Sequence, residues 1–275
     1  MLDSAARSAS VSKLSTLMVE KPWGVERLPP PFTGEGGRPI GEIWFDPPDD
    51  CRLLAKYLFT SERLSIQVHP DDAQARRRGL PNGKEECWLV LDAEPGARLG
   101  IGTVRPLDRE ALRAAALSGE IENLMQWHPA EAGMFFHIPP GTVHAIGGGL
   151  SLAEIQQKSD VTYRLYDYGR PRDLHLEDGV EVSHAEPMAA SRRQLVDARA
   201  SARLLSGARL AIAHVAGGDM TPLPSSAHRL LLLPIAGALK AGGVESSPGE
   251  CVWGARSDDI QSDFAARFLA AWTEE

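Results

Sequence analysis

From Gly41 to Asp167 the chain is cut into short apolar runs by glycine and proline, and that punctuation sets what it can fold into. Gly41-Glu42-Ile43-Trp44-Phe45 is closed by Pro47-Pro48-Asp49-Asp50, and residues 53–59 are apolar around a single Lys56. Residues 64–69 form the next run, and Pro95-Gly96 separates residues 88–91 from 98–101 as in a hairpin. Further runs occupy residues 134–138, 144–146, 152–156 and 162–166. Many short strands between such turns specify an all-β sandwich or barrel.

Helices are expected in only a few places. Asp71-Asp72 opens a helical turn to Arg78, with negative charge at its N-terminal end. Asp108 is placed to cap a helix reaching Leu117, and a second helix is expected over residues 119–127, stopped by Pro129. Residues 1–17, rich in Ser and Ala without the apolar run of a signal peptide, read as a flexible N-terminal extension. Residues 18–184 read as the main domain, with a helical insertion at about 106–128. Residues 185–275 read as a connector and a smaller C-terminal β unit, with strands near 209–215, 229–233, 238–240 and 250–253.

The net charge of −8 argues against nucleic acid or an anionic membrane as a partner. No segment is long and apolar enough to span a bilayer. Cys51, Cys87 and Cys251 are too few and too scattered for a disulfide framework, which suits reduced thiols and a cytoplasmic location.

Three segments offer metal ligands. Gln67 and His69 stand two apart on one strand, so both side chains share a face. Glu86 begins the strand over residues 86–91, which turns Cys87 to the opposite face. His144 follows the tight Pro139-Pro140-Gly141 turn. Two imidazoles, a carboxylate and an amide oxygen make a mixed nitrogen and oxygen set suited to zinc. His128, His137, His175, His184, His214 and His228 lack a ligand-spaced companion. Trp23, Trp44 and Trp88 read as core residues that can also line a pocket.

The spacing G-x5-P-x-G-x2-H-x3-G from Gly133 to Gly148 resembles the second motif of the cupin superfamily, with Gly148 where Asn is more usual. Gln67 stands where the first cupin motif usually has a histidine. The runs Leu64-Ser65-Ile66-Gln67-Val68-His69-Pro70-Asp71-Asp72, Gly83-Lys84-Glu85-Glu86-Cys87-Trp88, Pro140-Gly141-Thr142-Val143-His144-Ala145-Ile146-Gly147 and Ser159-Asp160-Val161-Thr162-Tyr163-Arg164-Leu165-Tyr166-Asp167 resemble the type I mannose-6-phosphate isomerases, nearest their short bacterial branch. The resemblance runs from about Lys21 to Val182.

It implies a mainly β fold, a cupin jelly-roll barrel with a small helical insertion and a smaller cupin-like C-terminal unit. It implies one zinc ion per chain on Gln67, His69, Glu86 and His144. It implies an active-site role for Arg164, Glu154 as first candidate for the acid/base with Lys84 second, and Ser65, Lys84 and Arg164 as substrate contacts; the substrate phosphate needs cationic or hydroxyl partners, for which Arg170 is a further candidate. On the residues alone, Arg164 with Asp167 also reads as a surface ion pair, Lys84 as a solvated loop lysine, Glu154 as an exposed-face residue and Ser65 as a strand serine. The expected reaction interconverts mannose 6-phosphate and fructose 6-phosphate through an enediolate, feeding mannose and GDP-mannose metabolism. The expected partner is a small sugar phosphate, and the expected state a monomer or homodimer. A sugar-phosphate-binding cupin without catalysis and an iron-dependent cupin oxygenase are the alternatives.

Overall fold

The structure is a computed structural model and describes residues 10–33, 37–225 and 227–274. It divides into two compact units, Thr16–Asp197, and Met1–Ser15 with Ala198–Glu275.

The larger unit holds two antiparallel sheets. One has seven strands in the order Arg193–Leu195, Met134–Ile138, Glu86–Ala93, Leu150–Gln157, Leu53–Thr60, Ile40–Phe45 and Thr16–Val25. The other has five, in the order Tyr163–Tyr166, Ile66–Val68, His144–Ile146, Arg98–Thr103 and Met125–Pro129. Leu58, Trp88, Phe136 and Leu152 from the first sheet join Leu99, Ile101 and Ile146 from the second in one buried cluster. The opposite face of the five-stranded sheet is covered by helices. There Ile66, Val68, Ala145 and Leu165 pack with Leu112, Ala116, Ile121 and Val180. Side chains alternate along a strand, so placing Ile66, Val68, Ala145 and Leu165 under the helices turns Gln67, His144 and Arg164 inward, between the sheets. The alternation that makes the core thus also aims the site.

The helices have local causes. Asp71 caps Asp72–Arg77 by accepting from the Gln74 amide, while Gln74 returns a bond to the Asp71 amide. Asp108 caps Arg109–Ser118 the same way from Ala111, and Gly119 closes that helix in the left-handed region at φ 80°.

The expected helix over residues 119–127 is corrected. Only Ile121–Leu124 is helical, and Met125–Pro129 is a strand paired with Arg98–Thr103. Met125 is 2% exposed, and ladder bonds with burial outweigh the local helical preference. The expected flexible extension over residues 1–17 is corrected over its described part. Ser12–Lys13 pairs with Trp253 and Val252, and Thr16–Val25 pairs with Ile40–Phe45. Residues 1–9 lie outside the described residues. The unit boundary falls after Asp197 rather than after His184, because Arg193–Leu195 forms an edge strand on Met134–Ile138.

The smaller unit has a six-stranded and a three-stranded antiparallel sheet. The four strands expected there appear as Ala211–Ala216, Leu230–Ala236, Leu239–Ala241 and Val252–Ala255, joined by others such as Arg267–Trp272. Its core contains Val215, Leu232, Val252, Phe268 and Trp272.

Candidate metal centre and its cavity

Gln67 and His144 are direct cross-strand partners, and Arg164 lies opposite Gln67 on its other side. His69 follows its strand by one residue, and Glu86 opens an interior strand of the facing sheet. Two sheets therefore deliver four side chains to one point.

His69, Glu86 and His144 are the one group of three or more metal-type side chains found together among the described residues. The His69 Nε2 atom lies 3.5 Å from Glu86 Oε2, and His144 Nε2 lies 3.3 Å from Glu86 Oε1. The Gln67 amide is 3.3 Å from His144 Nε2. A half-turn of that amide presents its oxygen to the same point, and Ser65 Oγ, 3.2 Å from its other end, can serve either orientation. Both imidazoles are oriented from behind. The Nδ1–H of His69 donates to the Val161 carbonyl and that of His144 to the Thr142 carbonyl, each at 2.8 Å. Both Nε2 lone pairs thus face the shared point, the usual arrangement for metal-bound histidine. His69 Nε2 is buried with no hydrogen-bond partner among the described residues. That orphaned atom, amid a carboxylate, a second imidazole and an amide, fits a divalent ion.

Lys84 and Glu154, both buried, complete the interior. The Lys84 ammonium lies 3.0 Å from Glu86 Oε2 and 3.7 Å from Glu154 Oε1. Burial raises the Glu154 pKa to about 8, aided by the Glu86 charge and opposed by Lys56 and Lys84. Burial would also raise Glu86, but Lys84 and the two imidazoles hold it well below the usual carboxylate range. Burial disfavours the Lys84 charge, yet Glu86 and Glu154 more than offset this and raise its pKa. Burial, with Lys84 nearby, lowers His69 to about 3. Removing one partner of a buried pair leaves an uncompensated charge. Lys84→Ala is therefore expected to destabilise the metal-free chain by about 3–5 kcal/mol in urea unfolding. A loss below about 1 kcal/mol would mark the pair as solvent-screened.

Gln67, Lys84 and Glu86 line a cavity of about 230 Å³, and His69 and His144 are not among its lining residues. Of the expected substrate contacts, Ser65, Lys84 and Arg164 line it, as does Glu154. Arg164 Nη1 donates to the Asp173 carbonyl at 3.2 Å, so Asp167 is not its partner. Arg170 is placed elsewhere. Its guanidinium is held by Glu62 at 2.7 Å and Asp167 at 3.2 Å, and it is not among the cavity-lining residues. Arg172, two residues on, does line the cavity, and buried Asp167 grips its Nε and Nη2 at 2.6 and 2.8 Å. His175 lines it too, tied to the Arg164 backbone by its own amide at 2.8 Å.

Sequence reasoning also passed over Lys56, which sits 2% exposed opposite Glu154, its ammonium 4.3 Å from the Trp44 ring centre. Burial lowers its pKa, against the pull of Glu154. The signal was present, since a lone lysine inside an eight-residue strand buried along its whole length needs a partner. His175 was set aside as lacking a ligand-spaced companion, but lining a cavity needs none. Trp23 and Trp88 line the cavity, whereas Trp44 lies outside its lining and donates to Glu42 at 2.6 Å. Cys87 faces away as expected, bonded to the Ile155 carbonyl.

No family model matches the chain. A mannose-6-phosphate isomerase of Streptococcus mutans is 43% identical over 136 residues, 47% of this chain and 43% of that protein. One from Bacillus subtilis is 41% identical over 141 residues, 49% of this chain and 44% of that protein. The chain thus spans about half the length of the curated relatives it matches. In structure, a Bacillus subtilis mannose 6-phosphate isomerase superposes with a TM-score of 0.77 at 23% identity, covering 95% of this chain and 99% of the other. The mainly β fold is shared with that enzyme.

Proposed function

We propose that this chain, a homologue of mannose-6-phosphate isomerases, interconverts mannose 6-phosphate and fructose 6-phosphate and holds one zinc ion on Gln67, His69, Glu86 and His144. The observation that carries the reading is the grouping of buried His69, Glu86 and His144 with buried Lys84 and Glu154, of which Glu86, Lys84 and Glu154 line a cavity that Arg164 and Arg172 also line. The mixed nitrogen and oxygen donors suit zinc. Zinc, when bound, supplies a Lewis acid that polarises the sugar oxygens and steadies developing negative charge.

The chain's own residues supply the rest. Aldose–ketose exchange moves a proton between C1 and C2 through an enediolate, so a base must sit against those carbons. Glu154 suits this because its buried Oε1 has no hydrogen-bond partner among the described residues and so keeps its lone pairs for the substrate's proton. Lys84 and Lys56 flank Glu154 and can hold charge opposite the sugar oxygens. Arg164 supplies a fixed positive charge to the intermediate, its side chain braced by the Asp173 carbonyl. Arg164, Arg172 and His175 offer the donors that the phosphate needs, with Ser65 a further hydroxyl. Arg172 takes the part expected of Arg170, since Arg172 lines the cavity and Arg170 does not, although Asp167 holds both. Trp23, Leu58, Leu64 and Ile146 supply apolar wall that excludes water.

This reading places the chain in carbohydrate metabolism. The three cysteines are buried and are not joined in disulfides, which supports a reducing compartment such as the cytoplasm. Purified chain loaded with zinc and given mannose 6-phosphate is expected to form fructose 6-phosphate in a coupled assay. A folded, zinc-loaded chain that binds the sugar phosphate without turning it over would instead be a binding protein. Oxygen uptake with bound iron would mark an oxygenase.

A further inference from the structure

We propose that a second cavity, beside the Pro139-to-His144 turn, is a binding site for a small hydroxylated phosphate monoester. This cavity measures about 350 Å³ and shares no lining residue with the first. That volume lies within the range of small-molecule sites. Pro139, Pro140 and Pro187 give it an apolar wall, and Thr142, His184 and Arg192 bring donors to it, with Glu186 beside them.

The walls are fixed by backbone rather than by mobile side chains. His184 N–H donates to the Gly141 carbonyl at 2.7 Å, and Thr142 and His184 form a parallel bridge. Thr103 N–H donates to the Glu186 carbonyl at 3.0 Å, Gly102 bridges to Pro187, and Gln126 Oε1 accepts from the Met188 amide at 2.9 Å. The His184 ring lies so close over Gly141 that a Cβ there would meet Cδ2 at 2.1 Å. Such a cavity is preformed, which lowers the ordering penalty of binding.

Its charges ask for a ligand. Arg170 and Arg172 are both engaged by carboxylates, whereas half-buried Arg192 has no side-chain hydrogen bond or ion pair among the described residues. A planar guanidinium left unpaired in a cleft is suited to a phosphate, which it can hold through two parallel bonds. Thr142 and His184 add donors beside it. Glu186 also makes no side-chain ion pair among the described residues, and its carboxylate repels a bare anion but accepts from hydroxyl groups. A phosphate at one end and hydroxyls at the other satisfy both signs, and the prolines pack the carbon face. Thr142, a lining residue of this cavity, is also the one whose carbonyl receives His144 Nδ1–H.

Glycerol 3-phosphate is the probe, titrated into the full chain while the His184 ring resonances are followed by NMR, assigned with His184→Gln. A saturable shift with Kd of about 1 mM or tighter is expected. Arg192→Ala should weaken it at least about tenfold, about 1.4 kcal/mol. Arg172→Ala, in the other cavity, should leave it unchanged, and glycerol alone should produce none. His184 resonances that do not saturate, or that respond equally in Arg192→Ala, would overturn the proposal. Neither outcome depends on isomerase turnover.

Discussion

His144→Ala is expected to give a folded chain that holds no zinc and has lost at least about a thousandfold in kcat/KM, about 4 kcal/mol of transition-state stabilisation. The ring is fully buried, edge-on to Trp88 at 5.5 Å and 4.8 Å from the His69 ring. Its Nε2 faces Glu86 and the Gln67 amide, while Nδ1–H is committed to Thr142. Alanine therefore removes one of the four proposed donors and leaves a small cavity. The fold should survive, since ring loss at one position destabilises by about 0.5–3 kcal/mol. Metal content by atomic emission and far-ultraviolet circular dichroism on the same sample separate the two effects. A variant with wild-type zinc content and activity would remove His144 from the centre.

Glu154→Gln is expected to lower kcat by about 10²–10⁴-fold with zinc content and KM little changed, the range for loss of a general acid/base. The substitution keeps shape and removes only the ionisable group. It removes like-charge crowding with Glu86 but also a carboxylate that faces buried Lys56 and Lys84, so unfolding midpoints are to be read beside the kinetics. Steady-state kinetics on mannose 6-phosphate with a zinc assay check both parts. An unchanged kcat would move the proton transfer to Lys84, whose ammonium is 3.7 Å from Glu154 Oε1.

What the sequence disclosed depended on whether a residue's job was set by local periodicity. Gln67, His69 and His144 were legible because strand alternation and a Pro-Pro-Gly turn fix their directions within a few residues. Alternation likewise turned Cys87 away from Glu86. Lys56 was visible but unread, since its partner Glu154 is brought opposite only by pairing Leu53–Thr60 with Leu150–Gln157. Arg170 and Arg172 are two residues apart and both pair with Asp167, and nothing local says which one lines the cavity and which one Glu62 engages. Residues 125–129 read as the end of a helix because their strand identity comes from a partner more than twenty positions earlier, at Arg98–Thr103. Ser12–Lys13 was unreadable as structure for the same reason, its partner lying at Val252–Ala255.

Zinc titration into metal-free chain, with conversion of mannose 6-phosphate followed at each point, tests the central claim most directly. Activity should rise in proportion to occupancy and reach its plateau at about one zinc per chain, as a single four-ligand centre requires. A chain that binds that zinc without forming fructose 6-phosphate, or forms it equally well without metal, would contradict the account.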